Sequence, residues 1–294
     1  MSTKLTRPSL GRLGAWWFGP LPRGRVAALR TFVYGFIFLD LFLLRPWVSI
    51  HGDVPAELYH PLFITNLFPM PTPTPFTVTA IQAALIASTA VALTGRWPRF
   101  AGALVFVFYL QWMLIAFSYG KVDHDRVAFL VALAVLPTAG PARWGDTEAD
   151  EAAGFAIRSI QIAVVITYFA SVLAKIRFGG INWATGSTFL RAIIRRGTFL
   201  AEPLAGHPAI LKLGQFMLIA FELLSPLLLA PGRIGRVMLG ITIAFHLVTY
   251  SGIGIMFWPH VLCLLAFVPL ERINPREWFA GRRTQPAART GAID

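Results

Sequence analysis

Eight long apolar stretches constrain this chain more than any other feature of its sequence. Hydrophobic residues make up 56% of the chain and charged residues only 14%, a composition that excludes an ordinary soluble protein. About 20 apolar residues suffice for a helix to cross a bilayer. The sequence therefore predicts an all-α, polytopic integral membrane helix bundle with about eight transmembrane helices, at 26–47, 75–94, 99–119, 126–141, 155–175, 208–230, 234–251 and 254–270.

The distribution of Lys and Arg predicts the orientation of these spans. Basic residues concentrate at the N-terminus, in the second-to-third and sixth-to-seventh loops, and in the tail, and eight spans place all four on one side. That side is expected to be cytoplasmic. We predict a multi-pass protein of the cell membrane with both termini cytoplasmic: a basic segment at 1–24, a transmembrane domain at 25–272 and a polar tail, expected to be disordered, at 273–294.

The net charge of +12 is explained by these cytoplasmic loops, so we expect the lipid bilayer and not nucleic acid as the partner. One loop departs from the rule. The segment after the fifth span is external by parity, yet its "STFLRAIIRR" is basic. We interpret it as an extracytoplasmic amphipathic helix lying in the membrane interface.

Redox and metal chemistry have little support in the sequence. Cys263 is the one cysteine, so neither an intrachain disulfide nor a CxxC site can form. Glu57 and His60 have the Glu-x-x-His spacing of bundle metal sites, but in a single copy within a proline-bracketed loop. No metal is expected.

Polar residues inside the predicted spans share helix faces. In the fifth span Tyr168 and Lys175 are seven residues apart, with Ser171 on nearly the same face. The sixth span carries Gln215 and Glu222 seven apart. Ionisable groups in membrane spans are costly and are by default functional or paired. In the seventh span the polar face comprises Thr242, His246, Thr249 and Tyr250.

The predicted topology puts Lys175, His246, His260 and His124 in the outer half of the membrane, which suggests a polar cavity open to the outside. Structural interpretations stay open for each of them. Lys175 can extend to the headgroups as an anchor, and buried histidines can bond backbone carbonyls. Asp40 and Glu222 can pair with arginines, or they can simply hold helices together.

Three stretches resemble the vitamin K-dependent γ-carboxylase family. "YFASVLAKI" followed by "NWATG" is similar to the family's segment with the active-site lysine, and "AFHLVTYSGIGIMFWPHVLCLLAFVP" to its Phe-His segment. "DHDRVAFLVALAVL" is similar to a stretch with a functional histidine, although Val122 and Asp123 replace the family's asparagines. "FELLSPLLL" looks like the family's sixth span. The resemblance covers roughly residues 20–272 and is strongest to the bacterial HTTM (horizontally transferred transmembrane) branch.

The resemblance implies a site and a chemistry. Lys175 takes the place of the catalytic base, with His246 and His124 beside it. An amine flanked by hydrocarbon can stay uncharged, whereas an arginine would keep its charge. The co-substrates would be a reduced quinone (vitamin K or menaquinone hydroquinone), O2 and CO2, with no metal. Substrate or quinone binding is assigned to Tyr168, Ser171, Trp183, Thr242, Tyr250, Glu222 and His260.

The family's large extracytoplasmic portion has no counterpart in this sequence. The partners that the resemblance implies are a peptide substrate or a soluble partner protein that supplies the missing domain. The function predicted from the resemblance is a carboxylase or epoxidase of the carbon–carbon lyase class that oxidises hydroquinone to epoxide and modifies a peptide outside the cell. Two alternatives stay open: a non-enzymatic membrane factor in maturation or export of a secreted peptide, and a small-solute transporter.

Overall fold

The computed structural model describes residues 11–66, 70, 72–120 and 122–273. The predicted basic N-terminal segment and polar tail lie partly outside these residues. Within them the chain is 77% helical with almost no β-sheet, which is consistent with the predicted all-α class. The α-helices are α1 Arg12–Trp17, α2 Arg23–Leu39, α3 Pro75–Leu93, α4 Pro98–Phe117, α5 Val127–Val135, α6 Glu151–Gly179, α7 Asn182–Thr185, α8 Thr188–Arg196, α9 Pro208–Leu223, α10 Arg233–Ile253 and α11 Trp258–Cys263.

Shorter elements extend or connect these helices. A π-helical turn, Asp40–Leu44, continues α2. Strands β1 (Leu21–Pro22) and β2 (Ala149–Asp150) form one antiparallel pair. The 3-10 turns are Pro46–Asp53, Ala56–Leu58, Phe63–Asn66, His124–Arg126, Leu136–Ala139, Glu202–Gly206, Ser225–Leu229, Leu264–Phe267 and Leu270–Arg272.

Every predicted span coincides with helix in the described chain, but only five helices there are long and apolar enough to cross a membrane. These are Arg23–Leu44, Pro75–Leu93, Pro98–Phe117, Glu151–Gly179 and Arg233–Ile253. The remaining three segments are shorter because their α-helices give way to 3-10 turns. Pro137 follows α5 and Pro226 follows α9, and proline cannot donate the next helical hydrogen bond. The predicted count of eight crossings is therefore not confirmed.

An ion pair between the π-helical turn that continues α2 and the 3-10 turn that precedes α5 is buried inside the bundle. Arg126 donates to both carboxylate oxygens of Asp40, at 2.6 and 2.7 Å, and the Tyr109 hydroxyl donates to the same carboxylate at 2.9 Å. Asp40 is fully buried, and it begins the π-helical turn of α2. The expectation that Asp40 pairs with an arginine is met by this contact.

At one end of the bundle, charged residues tie the N-terminal part of the chain to later helices. Arg23 contacts Asp150 at 2.7 Å, and Arg25 binds Glu271 through two hydrogen bonds of 2.7 Å. Asp150 also caps α6, since it accepts from the backbone amides of the first helical turn. The Trp17 indole donates to Ser159 at 3.0 Å, so α1 lies against α6.

The predicted amphipathic segment forms α8. Its Ile193 packs in a small apolar cluster with Leu211 of α9, whereas Arg195 and Arg196 lie in its last turn. Ile194 of this helix and Phe199 and Leu200, which follow it in the chain, are exposed. An exposed apolar surface next to a basic helix end is what a segment in the membrane interface presents.

Replacing Asp40 with alanine should destabilise the bundle by about 3–5 kcal/mol, because Arg126 is left buried without its counter-charge. Thermal unfolding of the purified protein in detergent measures this effect. The double variant D40A/R126M should be more stable than D40A alone. Removal of the exposed Arg96 by R96A is the control and should leave the midpoint unchanged; equal midpoints for D40A and R96A would contradict the assignment.

Acid should weaken the charged contacts at the end that carries α1. The Arg23 hydrogen bond lowers the pKa of Asp150. For Glu271, burial opposes ionisation, but Arg25 outweighs it and the pKa is lowered. A carboxyl with a lowered folded-state pKa contributes stability above its unfolded value, about 4, and loses it as the pH falls through the folded value.

The unfolding midpoint should therefore be level at neutral pH and fall below about pH 4. A pH series of thermal unfolding curves checks this. The variant D150N/E271Q should have a lower unfolding midpoint at pH 7, and its midpoint should fall less as the pH drops below about 4. A fall as steep as in the wild type would show that these two carboxylates do not cause the loss of stability in acid.

Candidate functional site

Helix α6 provides one side of the candidate site. Tyr168, Ser171 and Lys175 follow one another along a single helix face, as their spacing predicted, and that face meets α9 and α10. Glu222 lies in the last turns of α9, and His246 lies in α10. The polar residues of three separate helices are thus brought together in two adjoining groups, one around Lys175 and one around Tyr168.

Lys175 forms a salt bridge with Glu222. Its Nζ donates to the two carboxylate oxygens at 2.7 and 2.8 Å. Ser171 bridges the pair: its hydroxyl accepts from Lys175 and donates to Glu222 at 3.0 Å. The Lys175 side chain is 15% exposed and that of Glu222 is 5% exposed. Lys175 is therefore not an anchor whose amine lies in bulk solvent, and Glu222 pairs with this lysine.

Trp183 covers the amine from another side. The Nζ of Lys175 lies 5.2 Å from the centre of the Trp183 ring, within the range of a cation–π contact. The chain reaches this position by a sharp turn after α6, where Gly180 has φ +58°, a conformation that favours glycine. A side chain at Gly179 would meet Trp183 Cβ at 3.0 Å.

Gln215 of α9 holds the turn that carries Trp183. It is fully buried, and its amide donates to the carbonyls of Trp183 (3.2 Å), Ala184 (2.6 Å) and Gly186 (3.1 Å). Its oxygen accepts from the Phe189 amide at 2.8 Å. Gln215 is not among the site residues predicted from the sequence, although its seven-residue spacing from Glu222 places both on one face of α9.

The second group centres on Tyr168. The Tyr168 hydroxyl and His246 Nε2 are 2.8 Å apart in a hydrogen bond, and the His260 ring stands edge-on to the Tyr168 ring at 4.7 Å. All three side chains are at most 4% exposed. Both ring nitrogens of His260 and Nδ1 of His246 are buried without a hydrogen-bond partner among the described residues.

Aromatic rings enclose this group and join it to the first. Phe221, next to Glu222 in the chain, lies edge-on to Tyr168 at 5.2 Å. Phe257 lies 5.7 Å from the His246 ring and 5.7 Å from the His124 ring. Neither phenylalanine was singled out from the sequence, because an apolar residue in an apolar span carries no distinguishing signal.

The other assigned residues lie further out or bond elsewhere. His124 is exposed and stands beyond Phe257 from His246. Thr242 is fully buried and donates to the Met238 carbonyl of its own helix at 2.8 Å. Tyr250 is 49% exposed and contacts the Trp258 ring. The groups in direct polar contact are therefore Lys175, Ser171 and Glu222, and separately Tyr168 with His246.

Comparison of the chain with models of known protein families, with curated proteins and with solved structures gives no match. The described residues contain no group of three or more His, Cys, Asp or Glu side chains placed to hold a metal ion.

Replacing Gln215 with leucine should loosen the turn that carries Trp183, because four hydrogen bonds to its backbone are lost. The loss of one such bond lowers the stability of the turn by about 1 kcal/mol. With four bonds lost, amide hydrogen exchange over 180–189 should accelerate about tenfold or more. Hydrogen-exchange mass spectrometry measures this. Q82L in α3 is the matched control, and unchanged exchange at 180–189 in Q215L would rule out the anchoring role.

Proposed function

We propose that the protein is a membrane enzyme of the HTTM branch of the vitamin K-dependent γ-carboxylase-like family. It would couple oxidation of a reduced quinone to carboxylation, or a related modification, of a peptide on the extracytoplasmic side. The observation that carries this proposal is the setting of Lys175, whose nearly buried amine contacts Glu222, Ser171 and the Trp183 ring. Such a setting suits an amine that exchanges protons and is shielded from bulk water.

The carboxylate of Glu222 favours the charged form of Lys175, so under this proposal Lys175 acts as a base only after it has passed its proton to that carboxylate. An amine that accepts a proton from a substrate must first give up its own, and Glu222 is the acceptor in contact with it, at 2.7 Å. Ser171 bonds both partners and can hold them in register while the proton moves between them. Arginine at position 175 would not release its proton at all.

We propose that the Tyr168 group binds the hydroquinone. The oxygens of a hydroquinone ring need hydrogen-bond partners, and His260 and His246 carry buried ring nitrogens without one among the described residues. The rings of Tyr168, Phe221 and Phe257 offer faces and edges for a flat aromatic ligand. In the proposed overall reaction, hydroquinone, O2, CO2 and a peptide glutamate give the quinone epoxide, water and γ-carboxyglutamate. The hydroquinone is the reductant and O2 is the oxidant.

The proposal includes a topology of eight crossings in the cell membrane with both termini cytoplasmic. The three shorter helices would then reach across the bilayer with help from their 3-10 extensions. A peptide would approach the amine from outside, alone or with a soluble partner protein that supplies an extracytoplasmic domain. His124 would lie near the same outer surface and contact the peptide or quinone.

Transport of a small solute is the second candidate, and the Lys175–Glu222 pair favours it as well. Intramembrane ion pairs occur in transporters, where a solute or proton replaces one partner in turn. Under this alternative Glu222 is essential, no quinone is required, and the purified protein accumulates a solute in liposomes.

Replacing Lys175 with alanine should slow hydroquinone oxidation by about 10²–10⁴-fold, the usual contribution of a positioned base. The assay is epoxide formation and oxygen consumption by protein in lipid nanodiscs supplied with menaquinol. K175R should be equally slow because arginine keeps its proton. K212A, which removes an exposed lysine of α9, is the matched control and should be as active as the wild type.

Equal rates for K175A and the wild type would refute the enzymatic proposal. The variant E222Q separates the two candidates: an enzyme loses hydroquinone oxidation, whereas a transporter loses accumulation in liposomes and shows no dependence on quinone.

A further inference from the structure

A cavity of about 350 Å³ opens at the end of the bundle that carries α1, away from the Lys175 site. It lies between α6, the turn Ser225–Leu229, the start of α10 and the turn Leu270–Arg272. Two arginines, Arg236 and Arg272, contribute to its lining, and its apolar walls include Leu228, Leu239 and Phe267. The distribution of basic residues predicts that this end faces the cytoplasm.

Three other arginines at this end are already engaged. Arg23 binds Asp150, and Arg25 binds both oxygens of Glu271. Arg158 donates to the Gly19 carbonyl at 2.7 Å. In contrast, neither Arg236 nor Arg272 has a salt bridge or a side-chain hydrogen bond with any residue in the described ranges. Glu271, next to Arg272 in the chain, is occupied by Arg25. Both guanidinium groups are exposed and are available to an anion.

The apolar side of the cavity continues along α10. Leu239 lines the cavity, and Ile243 and Leu247 follow it at successive turns of the same helix face, 43% and 53% exposed. A hydrocarbon chain can therefore run from the cavity along this face. A soluble anion would contact only the two arginines. An anionic lipid would contact the arginines through its headgroup and the apolar face of α10 through an acyl chain.

We propose that this cavity binds an anionic phospholipid of the inner leaflet, with its phosphate between Arg236 and Arg272 and an acyl chain along Leu239, Ile243 and Leu247. Arginine suits this role because its planar guanidinium can donate two hydrogen bonds to one phosphate. The site is separate from the Lys175 group and does not depend on the proposed enzymatic function.

Lipid titrations followed by native mass spectrometry of the intact protein test the proposal, with phosphatidylglycerol and phosphatidylcholine as probes. The wild type should bind phosphatidylglycerol more tightly. The variant R236Q/R272Q should bind it about thirtyfold more weakly, as expected for the loss of two basic contacts at a membrane surface. R96Q/R233Q removes the same charge from exposed positions outside the cavity lining and should bind like the wild type.

Three results would each contradict the proposed site. The first is equal phosphatidylglycerol binding by R236Q/R272Q and R96Q/R233Q, and the second is equal affinity of the wild type for the two lipids. The third is full displacement of phosphatidylglycerol by inorganic phosphate at the same concentration. The last would assign the arginines to a free anion. Unfolding midpoints in lipid-free detergent verify that the variants fold, and R272Q alone, altered in an exposed turn, replaces the double variant if it does not.

Discussion

Charge pairing in an apolar interior is the constraint on which this structure depends. A lone charge in hydrocarbon costs several kcal/mol, so a charged side chain that the bundle buries needs a partner from another part of the fold. Asp40, in the π-helical turn after α2, contacts Arg126, and Lys175 of α6 contacts Glu222 of α9. Each pair fixes the relative position of two helices whose apolar surfaces alone would allow many arrangements. The first pair is almost completely buried, whereas in the second pair the Lys175 side chain is 15% exposed.

The positions of the helices could be predicted from the sequence, but the lengths of three of them could not. Uninterrupted apolar runs identify α2, α3, α4, α6 and α10 because hydropathy and length agree. In the remaining segments hydropathy continues past the end of the α-helix, and the backbone changes to 3-10 geometry near Pro137 and Pro226. A hydropathy window responds to side-chain composition and not to such changes of backbone.

Part of the candidate site could also be predicted, namely the residues of α6, because helical periodicity aligns Tyr168, Ser171 and Lys175. The contacts between helices could not be predicted from the sequence. The sequence allowed arginine as a partner for Glu222, and only the packing of α9 on α6 selects Lys175. Gln215 acts on a turn that is distant in sequence, and Phe221 and Phe257 are indistinguishable from lipid-facing phenylalanines until the bundle is assembled.

The attachment of α1 to α6 has a consequence for biosynthesis. Trp17 and its acceptor Ser159 are separated by 142 residues, and β1 pairs with a strand that directly precedes α6. A ribosome that adds 5–20 residues per second needs roughly 7–30 s to cover that distance. During this interval the first membrane helix has entered the bilayer while the tryptophan-rich segment before it has no binding surface, so chaperones or the translocation machinery can reach it until α6 emerges.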